Sequence, residues 1–109
     1  MVSKEEIASA VENNPTYAAD EVNIEIDTIV INDVPRCVFY GEYGRLVFDD
    51  TKQSFERYNE EDELVATKPV NDIDSAVKDV IEFGDWGEMK GETKEAREKP
   101  ETRLYSFDI

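Results

Sequence analysis

Histidine is absent from this 109-residue chain, cysteine and tryptophan occur once each, and lysine and arginine are outnumbered 12 to 27 by aspartate and glutamate. Each shortage closes a class of function. Without histidine the commonest general base is missing, and a structural zinc site of the usual Cys and His kind cannot be assembled. With Cys37 as the sole cysteine no internal disulfide can form, which fits a reducing compartment. A formal charge of -15 disfavours phosphate backbones and anionic membranes, because nucleic-acid binding needs Lys and Arg to displace counterions. No run approaches the roughly 18 apolar residues of a membrane span, and the N-terminus lacks the basic start and continuous apolar core of a signal peptide. The expectation is a cytoplasmic protein with no direct nucleic-acid or membrane contact.

What remains is enough to build one domain over residues 1–109, with an apolar content of 39% to fill a core. Apolar residues recur with a two-residue period between residues 22 and 68, as in Val22-Asn23-Ile24-Glu25-Ile26-Asp27, the pattern of a strand with one buried and one wet face. Strands are predicted at 22–31, 36–40, 45–49, 54–58 and 64–67, separated by Asn32-Asp33, by Gly41-Glu42-Tyr43-Gly44 and by polar turns. The parity shift from Ile26 to Ile29 and Ile31 predicts a bulge, or a strand end covered on both faces.

Ser3 and Glu6 form a capping box for a first helix over 4–13, carrying Ile7 and Val11, and Tyr17 anchors a connector after it. Asp72 caps a second helix in which Ile73, Ala76, Val77, Val80 and Ile81 share one face while Ser75, Lys78, Asp79 and Glu82 point away, with Gly84 as its C-cap. The fold class is α+β: an antiparallel β-meander of about four to six strands with two helices packed on one face. Its core is Ile7, Val11, Val22, Ile24, Ile26, Val30, Val38, Leu46, Phe48, Phe55, Ile73, Val77, Val80 and Ile81. Residues 85–101, rich in Gly, Glu and Lys, read as loop or loosely held chain. The terminal Tyr105, Phe107 and Ile109 share a strand face.

No catalytic constellation emerges. Cys37 lies beside Val38 and Phe39 in a strand and reads as a small buried apolar residue. A calcium loop started at Asp72 puts Val77 and Phe83 where glycine and glutamate belong, and one started at Asp49 puts Ser54 in place of the glycine. The glycines of 41–44 fit no phosphate loop. No metal or cofactor is expected.

The acidity itself is the remaining signal. Glu25 and Asp27 on one strand face lie roughly 6.8 Å apart, and helical neighbours such as Asp79 and Glu82 roughly 5–6 Å apart, comparable with phosphates along a nucleic-acid strand. Together with Glu60, Glu61, Asp62 and Glu63, and with Trp86 as an aromatic anchor between Gly84 and Gly87, they are the candidate partner-binding residues. The expectation is a non-enzymatic acidic protein-binding module, an inhibitor or nucleic-acid mimic that occupies the basic groove of a nucleic-acid-binding protein or nuclease complex. The alternative is a salt-adapted or regulatory housekeeping domain whose acidity serves solubility. A carboxylate-dependent enzyme or metal binder ranks third, and dimerisation through a strand edge stays open.

Overall fold

A computed structural model describes residues 1–94; the expected strand face of Tyr105, Phe107 and Ile109 and the stretch 95–101 lie outside the described residues. The elements are α1 (Lys4–Glu12), α2 (Pro15–Ala18), β1 (Glu25–Ile31), β2 (Val34–Gly41), β3 (Gly44–Asp49), β4 (Ser54–Tyr58), β5 (Leu64–Pro69) and α3 (Ile73–Trp86). The strands form one five-stranded antiparallel meander in the order β1-β2-β3-β4-β5. The α+β class and the antiparallel meander follow from the two-residue period. The register is regular along the whole of β1, and the one irregularity lies between Arg57 and Tyr58, where β4 meets β5. The parity shift in β1 is therefore not a bulge: its last turns simply run past the core, leaving Val30, expected inside, 69% exposed.

One parity of the sheet carries the core. Cys37 and Phe39 of β2, Leu46 and Phe48 of β3 and Phe55 of β4 join Ile7 and Val11 of α1 and Ala76, Val77, Val80 and Phe83 of α3 in a single cluster. Phe55 meets the rings of Phe39 and Phe48 edge-on, at centroid separations of 6.3 and 5.7 Å, the arrangement aromatic quadrupoles prefer. Ile26, Ile73 and Ile81 are half-buried against the cluster. The opposite parity is not wholly wet, since Val38 and Val47 are buried there.

The helix ends obey local chemistry. Ser3 and Glu6 exchange side-chain and backbone bonds at the start of α1. Asn14 caps α2, a single turn opened by Pro15 in what reads from sequence as a plain connector. Asp72 accepts from the Ser75 amide to start α3. That helix does not stop at Gly84. It runs to Trp86 and ends on Gly87, whose φ of 79° and amide bond to the Phe83 carbonyl make the left-handed cap. Gly84 has a packing role instead: a Cβ there would lie 2.2 Å from Val22 Cγ2 and 2.8 Å from Ile24 Cγ1. The buried Val22 and Ile24, which precede β1, are thereby clamped to α3.

Towards β5 the core face changes character, because Arg57 and Lys68 share the parity of Leu46 and Phe55. Both are neutralised from the α3 side. Lys68 Nζ donates to Asp79 Oδ1 at 2.6 Å, and Arg57 grips Glu92 through Nε at 2.9 Å and a terminal nitrogen at 2.5 Å. Glu92 also accepts from the Met89 amide, and Met89 is buried. Residues 87–94, expected as loop or loosely held chain, form an irregular segment that returns over the core, and Thr93 exchanges backbone bonds of 2.9 and 2.8 Å with Thr67 of β5.

Two outcomes test this packing. Gly84→Val should cost about 1–3 kcal/mol through overpacking against Val22 and Ile24, and an unchanged denaturant midpoint would show that the clamp is not there. For Glu92, burial raises the carboxyl pKa, but Arg57 and the Met89 amide outweigh it and hold the group below its ordinary 4.5. Its contribution is therefore complete above that value and is lost as the pH falls through the lower folded-state value. Glu92→Gln should destabilise the fold by about 3–5 kcal/mol at neutral pH by stranding Arg57, and should flatten the acid limb of a stability-against-pH curve.

Candidate functional site

The meander places two chain reversals, the start of β1 and the end of α3 at one pole of the sheet. Glu25 opens β1 there, opposite Tyr40. The β2–β3 turn follows at Glu42 and Tyr43, and its Gly44 packs so closely on the next reversal that a Cβ would lie 2.0 Å from the Tyr58 carbonyl and 3.0 Å from Asn59. On its other side, the Tyr43 ring lies against Gly87, the cap of α3. The β4–β5 tip, the β2–β3 turn and the end of α3 are therefore neighbours.

The tip is shaped by Asn59. Its Oδ1 accepts from the amides of Glu61 and Glu63 at 3.0 and 2.9 Å, its own amide bonds the Glu63 carbonyl, and Asp62 takes a positive φ of 64°. This side-chain-closed turn leaves Glu60, Glu61, Asp62 and Glu63 exposed. Asp62 pairs with Arg45, whose guanidinium also stacks 4.3 Å over the Tyr58 ring, and Glu63 accepts from the Asn59 side-chain amide. Glu60 and Glu61 have no side-chain partner among the described residues.

Aromatic surface converges on the same pole. Trp86 is 78% exposed, Tyr43 43% and Tyr40 36%, with Tyr40 on the sheet face away from α3. Trp86 lines a shallow depression with Glu82, Glu88, Met89 and Lys90. Asp85 and Glu88 are exposed beside it, and the last turn of α3 holds no basic residue, so the negative end of the helix dipole adds to the field.

The expected site residues divide accordingly. Glu25, Glu60, Glu61, Asp62, Glu63 and Trp86 belong to the pole. Asp27 is exposed on the same face of β1 as Glu25, one step away, and its Oδ1 accepts from the Thr28 amide at 2.8 Å. Glu82 is half-buried and accepts a long bond from the Lys90 amide at 3.4 Å. Asp79 is a correction. It faces the sheet rather than solvent, is 3% exposed, and is held by Lys68 with its second oxygen unpartnered. Burial pushes its carboxyl pKa up, against the opposing pull of Lys68. It is a structural residue, and the pair Asp79 and Glu82 is not a phosphate-like row.

Sequence reasoning missed Tyr40, Tyr43, Asp85 and Glu88. The signal available was an aromatic at the tip of a Gly-bounded turn, whose proximity to Trp86 only the fold creates. Among the described residues no group of carboxylates or cysteine is arranged to hold a metal ion, and no helix there is long and apolar enough to cross a membrane. Cys37 is buried, and that burial pushes its thiol up to about 12, which keeps it protonated and unreactive at neutral pH.

Trp86, the only tryptophan, reports on this field directly. Relative to a neutral tryptophan amide in the same buffer, its fluorescence should be quenched more by caesium and less by iodide at low ionic strength, with both ratios approaching those of the reference at high salt; ratios equal to the reference at low salt would mean that the pole carries no net negative potential. Comparison with family models, with curated proteins and with solved structures finds no match to this chain, so its functional reading rests on its own residues.

Proposed function

We propose that this chain is a non-enzymatic acidic protein-binding module, and that its acidic and aromatic pole occupies a basic groove of a nucleic-acid-binding partner in the manner of a nucleic-acid mimic. The observation that carries the reading is the gathering of exposed Tyr43 and Trp86 with Glu42, Glu60, Glu61 and Asp85 at one end of the sheet, with Glu25 and Tyr40 at the same end on the face away from α3. Carboxylates alone are a common solvated surface. Rings exposed among them add the contact area that anchors a specific interface, since aromatic residues dominate binding hot spots.

The internal ion pairs support the same reading. Lys4, Arg36, Arg45, Arg57, Lys68 and Lys94 each bond a carboxylate of their own chain. At Asp49, burial raises the pKa, but the Lys52 amide and Arg36 outweigh it and keep the carboxyl below its ordinary value, so the Arg36 pair is a charged one. These six cations are each offset by a carboxylate of the same chain, and the excess negative charge lies on exposed side chains, where it steers association with a basic partner.

The test uses duplex-DNA-binding proteins with Lys- and Arg-lined channels, with DNA as competitor, across a salt series. Wild-type binding should weaken steeply with salt. Trp86→Ala should lower affinity by about tenfold or more, and the double reversals Glu25→Lys with Asp27→Lys and Glu60→Lys with Glu61→Lys should each flatten the salt slope. Affinities and slopes unaltered in all three variants would sink the proposal. A folded state that gains stability with rising salt, without salt-sensitive binding, would favour the solubility reading.

A further inference from the structure

The two edges of the sheet are treated differently. Along β5, Thr93 pairs with Thr67 and Pro69 closes the strand, so that edge is partly covered and partly blunted. Along β1 no chain pairs on the outer side among the described residues. The strand is seven residues long, contains no Lys or Pro, and keeps an unbroken register with β2. Neither Lys, Pro nor a bulge blunts this edge; the charges it carries are the two carboxylates of Glu25 and Asp27, which repel an acidic strand and admit a basic one.

The turn fixes which backbone groups that edge offers. Asn32 and Asp33 have φ of 53° and 66°, the two left-handed residues of a tight hairpin between Ile31 and Val34. In such a hairpin the closing pair Ile31 and Val34 is hydrogen-bonded, and alternate pairs back along the ladder are too: Ile29 with Arg36, Asp27 with Val38, Glu25 with Tyr40. Ile26, Thr28 and Val30 then turn their N–H and C=O groups outward. Pro35, which has no N–H to give, stands opposite Val30, where none is needed. The Thr28 amide is not bonded to β2 but to the Asp27 carboxylate beside it, as this alternation requires.

We infer that the free edge of β1 is a strand-addition site for an extended basic segment of a partner protein: its backbone bonds the outward groups of Ile26, Thr28 and Val30, while its Lys or Arg side chains meet Glu25 and Asp27. The inference rests on the reading of the chain as an acidic binding module and gives its partner a form. Glu25 and Asp27 project from one face, with the exposed Tyr40 ring beside Glu25 to receive a cation. Val30, on the other face, is a large exposed apolar side chain that an apolar neighbour would cover. The matching segment alternates basic and apolar residues. Asp27 occupies the Thr28 amide until the segment arrives, then exchanges that bond for a cation. A second copy of this chain fits worse. Antiparallel pairing about Thr28 would set the two Asp27 side chains on a diagonal roughly 7–8 Å apart, between molecules that each carry -15.

The probe is a short synthetic peptide alternating lysine and valine, with blocked ends, and its control is the same peptide N-methylated at alternate amides, which keeps the charge and abolishes strand pairing. The first should bind with slowed hydrogen exchange at Ile26, Thr28 and Val30, and the control about tenfold or more weaker. Thr28→Pro should lower affinity similarly while leaving the unfolding curve in place, because the lost N–H bonds no neighbouring strand; the peptide control carries the test should that variant misfold. Equal binding of both peptides overturns strand addition while leaving the acidic reading intact, whereas no salt-dependent binding of either removes both. A dimer of the chain alone that Thr28→Pro dissolves assigns the edge to a second copy and also overturns the inference.

Discussion

A buried cation has to be met by a carboxylate or the fold does not form, and this constraint governs the β4–β5 half of the molecule. Arg57 and Lys68 sit on the parity that faces α3, where the sheet has exchanged Phe and Leu for basic residues. Arg57 is buried, and desolvating it without a partner would cost several kcal/mol; Lys68, half-buried, loses part of its hydration and needs the same kind of partner. Asp79 on α3 and Glu92 beyond it supply the partners, which fixes the rotation of the helix and draws residues 87–94 back across the core. Trp86 is left outside as the chain makes that return.

The same pairing shapes the surface. Because the sheet's cations are bonded to carboxylates of their own chain, the negative charge that remains is carried by side chains facing water. At the pole formed by the start of β1, the two turns and the end of α3, the carboxylates accompany exposed rings, so field and contact area coincide. Charge at that spot sets the rate and salt dependence of an encounter, and the rings supply residence. The β1 edge adds a directional element that charge alone lacks, a row of backbone donors and acceptors with fixed spacing.

The two-residue period of 22–68, the capping box at Ser3 and Glu6, the Asp72 cap and the apolar stripe of α3 were all legible, because strand alternation and helix capping are local properties of consecutive residues. Most of the core was legible for the same reason. Val30 shares the core parity yet stands exposed, because alternation says which face a residue takes but not how far the covering helices reach. Gly84 has the look of a helix end because a glycine that permits close packing and one that permits a left-handed cap are alike in sequence; only contact with Val22 and Ile24 separates them.

The sequence by itself determined the α+β class, the meander, the net charge and the absence of histidine chemistry, since these follow from composition and short-range periodicity. The tertiary structure alone decided which acids work inside and which outside. Asp79 and Glu82 are three residues apart on one helix, yet the first is buried against Lys68 and the second is only half-covered. That division depends on which strand a cation projects from, a relation across the chain that no local pattern encodes. The same holds for the pole, where Tyr43 and Trp86 become neighbours only because Gly87 lies under the Tyr43 ring.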